Sequence, residues 1–177
     1  MRYVIAGAAL GAILAAGPIL AQDSEESTNR VNQETDWSVF VEDDPTQCWV
    51  VSTPRETVNT RDGRVVAVRR GDILLFVSYW PEQNRRGEVS FTGGYPFADG
   101  STVTLEIGDA SFDLFTEGEM AWAASEGEDQ QIITAMKRGA DAVLTARSSR
   151  GTQTVDTFSL LGFTAAVEDA ETRCGEG

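Results

Sequence analysis

Four carboxylates, Asp109, Asp113, Glu117 and Glu119, lie within eleven residues of one another. A pair of such groups held in unlike environments is the equipment of acid–base hydrolysis. In a chain with 28 acidic residues, such spacing also arises by chance. Histidine is absent from all 177 residues. That removes a Ser-His-Asp triad, a Cys-His pair and every imidazole metal site together. Gly93-Gly94 lacks the Lys and Ser/Thr partners, and the following helix, of a phosphate-cradling loop. The acidic spacing from Asp99 to Asp109 matches no calcium loop. No catalysis, cofactor or metal is therefore expected. A hydrolase acting on an anionic substrate through paired carboxylates stands as the alternative.

The other reactive residues are Cys48 and Cys174, the only two cysteines. They lie near the two ends of the candidate folded region and are too far apart for a zinc motif. In an exported chain such a pair is expected to form one disulfide, which closes the domain. A free, buried cysteine is the other reading of either residue.

Aromatic and arginine side chains offer the best candidate binding surface. Tyr79, Trp80, Tyr95, Phe97 and Trp122 sit near turns, close to Arg85 and Arg86. Such side chains anchor many interfaces, although aromatics also fill β cores. The net charge is −14, which argues against nucleic acid and anionic membrane surfaces as partners. Seven arginines (55, 61, 64, 69, 70, 85 and 86) nonetheless fall in one stretch with only four acidic residues. That stretch is either ordinary ion-paired strand surface or a face for an anionic ligand.

The elements that must position these residues are mostly short strands. Trp37, Val39 and Val41 alternate with polar residues, as do Val103, Leu105 and Ile107. Cys48-Trp49-Val50-Val51 forms the second strand. Residues 73–80 are almost continuously apolar, which predicts a central strand buried on both faces. Residues 88–92, 112–115, 120–123, 142–147 and 153–160 supply further strands. Asp62-Gly63 is a hairpin signature, and residues 149–151 make another turn. One helix starts at Ser125, with Glu128 completing a capping box. It carries Ile132, Ile133 and Met136 on one stripe, Lys137 and Arg138 in its last turn, and Gly139 as its stop. A second helix begins near Phe163, capped by Thr164, and turns Phe163, Val167, Ala170 and Cys174 to one side. The expected class is a mainly β, antiparallel sandwich, with the helices covering an open end or edge.

Residues 1–21 read as a secretory signal: Arg2, an apolar run too short to span a bilayer, and a cleavage site at Ala21. Residues 22–35 read as a flexible acidic lead-in, residues 36–174 as one domain, and residues 175–177 as a tail. No transmembrane segment is expected in the mature chain.

Over nearly the whole of residues 36–174 the chain resembles the invasion-associated locus B family of exported alphaproteobacterial proteins. The residues that carry the likeness are Asp36-Trp37-Ser38-Val39 and Cys48-Trp49-Val50-Val51. To these are added Lys137-Arg138-Gly139 and, above all, the block from Phe158 through Leu160-Leu161-Gly162-Phe163 to Val167. The resemblance implies a small Ig-like β-sandwich, in the periplasm or secreted, and in pathogenic relatives a link to host-cell entry. It implies a binding or adhesion module whose partner is a protein or an envelope or host-surface component. Many members carry a further mid-chain cysteine pair; residues 117–125 have none.

Overall fold

Alternating apolar residues can bury one side only if each strand finds a neighbour, and here the neighbours form one continuous ladder. The computed structural model describes residues 29–44 and 46–175. Its strands are β1 (Arg30–Glu34), β2 (Trp37–Asp43), β3 (Thr46–Ser52), β4 (Glu56–Arg61), β5 (Arg64–Val65) and β6 (Leu74–Trp80). They continue with β7 (Arg85–Thr92), β8 (Thr102–Ile107), β9 (Ala110–Glu117), β10 (Met120–Trp122), β11 (Asp141–Arg147) and β12 (Gln153–Ser159). Helix α1 (Glu126–Met136) follows β10, and α2 (Phe163–Gly175) follows β12. The spatial order is β1-β2-β3-β6-β7-β10-β9-β8-β11-β12-β4-β5. The secretory signal expected over residues 1–21, and residues 22–28 of the expected lead-in, lie outside the described residues.

The ladder folds over, so that its two halves face each other across the core. Trp37, Val39, Val50, Leu75, Val77 and Phe91 point inward from one half, and Val103, Leu105, Leu144 and Phe158 from the other. Phe91 meets Phe158 edge-on at 6.1 Å across the gap. The Trp37 indole N–H donates to the Ser159 carbonyl at 3.0 Å. The sandwich-like, mainly antiparallel class expected from the sequence is what forms.

Both helices seal gaps in this arrangement. β10 pairs with β7 only at Ser90, Phe91 and Thr92. Beyond that point the edge of β7 is open, and α1 covers it. Asp129 Oδ1 accepts from the Val89 N–H at 2.8 Å, and Gln130 donates to the Arg86 carbonyl at 2.8 Å. Helix α2 lies on the core side of β2 and β3, with Phe163 edge-on to Trp37 at 4.8 Å. Cys174, on its buried stripe, is bonded to Cys48 of β3 across a sequence separation of 126. The expected disulfide is present.

Several local expectations need correction. Arg30–Glu34, assigned to the flexible lead-in, form β1 and pair with β2. Composition misses this strand because its support is not apolar. It comes from backbone hydrogen bonds and from Asn32, which donates to Asp169 of α2 at 3.0 Å. Thr164 is no cap: it lies inside the first turn of α2, and its hydroxyl reaches the Lys137 carbonyl. Lys137 is the C-cap of α1, and Arg138 lies beyond it. Gly139 is not a left-handed stop. A side chain there would strike Ile107 at 2.6 Å and Leu160 at 2.9 Å, so the glycine permits close packing. Ser125 caps α1 as expected, accepting from the Glu128 N–H at 3.3 Å. Glu128 reaches back to the Ala124 N–H rather than to that of Ser125.

β6 is central, as expected, but its faces differ. Leu75, Val77 and Tyr79 are buried inward, whereas Leu74, Phe76 and Trp80 lie on the outer side, half-buried. Among the described residues no second layer covers them. They are shielded by neighbours on the same outer surface.

Candidate functional site

Strand register decides which side chains share that surface, since successive residues point to opposite faces. Phe40 of β2 is opposite Trp49 of β3, and Val51 is opposite Phe76 of β6. Phe76 is opposite Ser90 of β7, which is opposite Trp122 of β10, itself opposite Phe115 of β9. Leu74 and Met120 flank Thr92 in the same phase. The outer side of this half is thus a continuous aromatic and aliphatic band. Three of the four tryptophans lie on it, and only Trp37 is in the core.

The rings on this band are held in place. Phe40 and Trp49 stack at 5.2 Å with planes 2° apart. Phe115 and Trp122 stack at 5.5 Å. The Arg85 guanidinium sits over the Trp80 ring at 5.8 Å and is fixed by Glu88 at 2.8 Å. Each tryptophan therefore has a neighbour that holds its ring, which lowers the cost of ordering it on binding. Trp49, Trp80 and Trp122 converge on a shallow cavity of about 410 Å³ whose polar lining includes Gln47, Ser78, Glu88 and Ser90. A second cavity of about 730 Å³ adjoins it, between Trp80, Arg85, Arg86, Phe115 and Trp122. The outer side of the other half carries Thr104, Glu106, Thr145, Val155 and Thr157, with no aromatic.

Of the residues singled out from the sequence, Trp80, Arg85, Arg86 and Trp122 come together at this rim. The other three do not. Tyr79 is on the inner face, 4% exposed, and its hydroxyl donates to Glu171 at 3.4 Å. Burial, with Glu171 adding to it, pushes that phenol far above its ordinary value. Phe97 packs against Phe91 at 6.1 Å in the core. Tyr95 lies at another end of the fold, under the Arg70 guanidinium at 5.0 Å. Phe40, Trp49, Phe76, Phe115 and Met120 were missed. The available signal was that both phases of the alternation are apolar in β3 and β6.

The carboxylates that could have served a hydrolase do not converge. All four are exposed. Asp109 precedes β9 and Glu117 ends it, which places them roughly 26 Å apart along an extended strand. Among the described residues there is no group of three or more acidic, His or Cys side chains able to hold a metal.

Asp129, which lines the larger of these two cavities, is a perturbed carboxylate, and its role is structural. Burial pushes Asp129 up to about 6; the Val89 N–H opposes this, while Glu88, Glu128 and Glu126 add to it. An unfolded Asp titrates near 3.9, so between about pH 4 and pH 6 the folded state binds more protons than the unfolded state. Asp129 should therefore make stability fall as pH rises through that window. Asp129→Asn keeps an oxygen for the Val89 N–H and carries no charge. The expected result is a flatter pH profile between 4 and 6, with higher stability at pH 7, read by urea denaturation at several pH values.

A family model described as Invasion associated locus B (IalB) protein matches residues 37–171. Among solved structures, that of invasion associated protein b from Bartonella henselae superposes with a TM-score of 0.55. The identity is 15%, over 80% of this chain and 95% of that one, so the likeness is one of fold. No curated protein matches this chain.

Proposed function

Because this chain belongs to the invasion associated locus B family, whose members are exported, we propose that it is a non-catalytic binding module of the cell envelope that recognises a protein partner through its outer aromatic band. The address that fits is periplasmic or secreted, after cleavage near Ala21. The Cys48–Cys174 bond supports an oxidising compartment. Among the described residues, no helix is long and apolar enough to cross a membrane.

The observation that carries this reading is the asymmetry between the two outer faces. One carries three tryptophans, three phenylalanines beside them and Met120, with Arg85 and Arg86 at its rim; the other carries threonines, valines and charges. Large contiguous apolar patches mark interaction sites on soluble domains. Aromatic residues, Met and Arg are the types enriched in protein–protein interfaces. A protein fits this band better than a small molecule does, because the band crosses six strands and its cavities are shallow. The name of the Bartonella protein ties that protein to invasion. That supports a partner on another surface, of the envelope or of a host cell.

The test is the variant Trp49→Ala/Trp80→Ala/Trp122→Ala, assayed for retention by native envelope and by host-cell surface fractions. Truncating one tryptophan hot spot costs about 2 kcal/mol or more, roughly thirtyfold in affinity. The triple variant should lose retention, yet keep the disulfide and the near-ultraviolet signal of Trp37. Retention equal to that of the parent chain would reject the band as the binding surface.

A further inference from the structure

A third cavity, away from the outer band, lies between the β4–β5 hairpin, the β11–β12 turn and the segment that leads to β6. It encloses about 490 Å³, and its lining includes Arg61, Arg69, Arg70 and Arg150. Glu119 is the one carboxylate among the lining residues. This is unusual in a chain with 28 acidic and 14 basic residues. Outside the cavity Arg55 pairs with Asp141, Arg85 with Glu88 and Arg173 with Asp169, while Arg30, Arg64, Arg86, Arg138 and Arg147 are scattered over the surface with no carboxylate in ion-pair contact among the described residues. Within the cavity only Arg70 is paired, with the buried Asp156. Among the described residues, Arg61, Arg69 and Arg150 have no carboxylate in ion-pair contact.

We propose that this cavity binds the phosphate or sulfate ester of a small ligand or of a single terminal group, through Arg61, Arg69 and Arg150. The surroundings favour such a role. Arg61 donates to Thr152 Oγ1 at 2.6 Å, which anchors one guanidinium at the wall. The turn that carries Arg150 is fixed by the Ser149 N–H bonded to the Pro96 carbonyl and by the Ser148 N–H bonded to the Thr152 carbonyl, each at 2.9 Å. Arg70 stacks over Tyr95, so the floor beneath is rigid and its charge is already balanced. Converging guanidinium forks match a tetrahedral oxyanion, which accepts several charge-assisted hydrogen bonds at once. Tyr95 and Pro96 offer an apolar floor to whatever carries the ester. The strong negative charge of the whole chain repels an extended polyanion such as nucleic acid. A ligand whose charge ends inside the cavity escapes most of that repulsion.

This site shares no residue with the outer band, so the two proposals stand or fall apart. Titration calorimetry at low salt, with glucose 6-phosphate and glucosamine 6-sulfate, reads it directly. Co-sedimentation with phosphatidylcholine vesicles that carry phosphatidic acid reads a lipid source. The parent chain should bind at least one of these probes saturably. Arg69→Glu/Arg150→Glu should weaken that binding at least tenfold. Both residues are exposed, so the melting temperature should hold. Arg30→Glu/Arg138→Glu, an equal charge change outside the cavity, should leave affinity within about twofold. Binding of the sugar esters alone assigns a glycan source; binding of the vesicles alone assigns a lipid headgroup. No saturable binding of any probe, or equal binding by the charge-reversed variant, would overturn the proposal.

Discussion

Replacing Cys48 and Cys174 with alanine is expected to lower the unfolding free energy by about 4–5 kcal/mol, the loop-closure value for a separation of this length. A domain of this size is stable by only about 5–15 kcal/mol, so the loss removes much of its margin. The bond also has a local consequence. It ties the last turn of α2 to β3; the helix is otherwise held by Phe163, Ala166, Val167 and Ala170 packed in the core and by contacts with Trp37, Asn32 and Tyr79. Without the bridge, α2 should open before the ladder does. Urea denaturation gives the global number. Hydrogen exchange should show the amides of α2 losing protection first. A double variant within about 1 kcal/mol of the parent chain would mean that the end of the fold is held by packing alone.

The second large effect is expected at Arg70 and Asp156. Their side chains are 6% and 0% exposed, and they meet through two hydrogen bonds of 2.7 and 2.6 Å. Arg70 also donates to the Gly93 carbonyl at 2.8 Å and to Asn59 at 3.3 Å. Removing one partner of a buried pair leaves the other charged, dry and uncompensated, at about 3–5 kcal/mol. Arg70→Met should lose that much near neutral pH. Burial pushes the Asp156 carboxyl upward, and Arg70 opposes it. With Arg70 gone only the upward push remains. The folded carboxyl then holds its proton more tightly than the unfolded one, so the variant should regain stability as pH falls. Arg70→Met/Asp156→Leu should recover much of the loss at neutral pH, and a double-mutant cycle measures the coupling. Equal instability of the variant at low and neutral pH would show that its defect is one of packing.

Much of the frame was legible because it is local. The alternation in Val103, Leu105 and Ile107 is β8, and the Asp62-Gly63 signature is the hairpin between β4 and β5, with both residues at positive φ. Ser125 caps α1, and the disulfide could be read from cysteine number and position. The misses are not local. Alternation identifies one buried face, but β3 and β6 are apolar in both phases. Only register shows that Val50 and Val77 face the core while Trp49 and Phe76 face out. Tyr79 and Trp80 are adjacent in sequence and point to opposite sides, so one candidate binding residue became core and the other became surface. β1 was missed because its partners are backbone groups and one side chain of α2. The arginine-rich stretch divides in the same way. Arg55, Arg70 and Arg85 are ordinary ion pairs whose acids lie up to 86 residues away. Arg61 and Arg69 are brought together with Arg150, which lies outside that stretch.

Photocrosslinking in the native envelope bears on the aromatic band itself. A photoreactive phenylalanine at Ser90, between Phe76 and Trp122, probes the middle of the band. The same group at Glu106, on the outer side of the other half of the ladder, serves as the comparison. Discrete protein adducts from position 90, absent from position 106 and abolished by Trp49→Ala/Trp80→Ala/Trp122→Ala, are the predicted result. Adducts of equal yield from both positions, or from position 106 alone, would contradict a binding surface on the aromatic side.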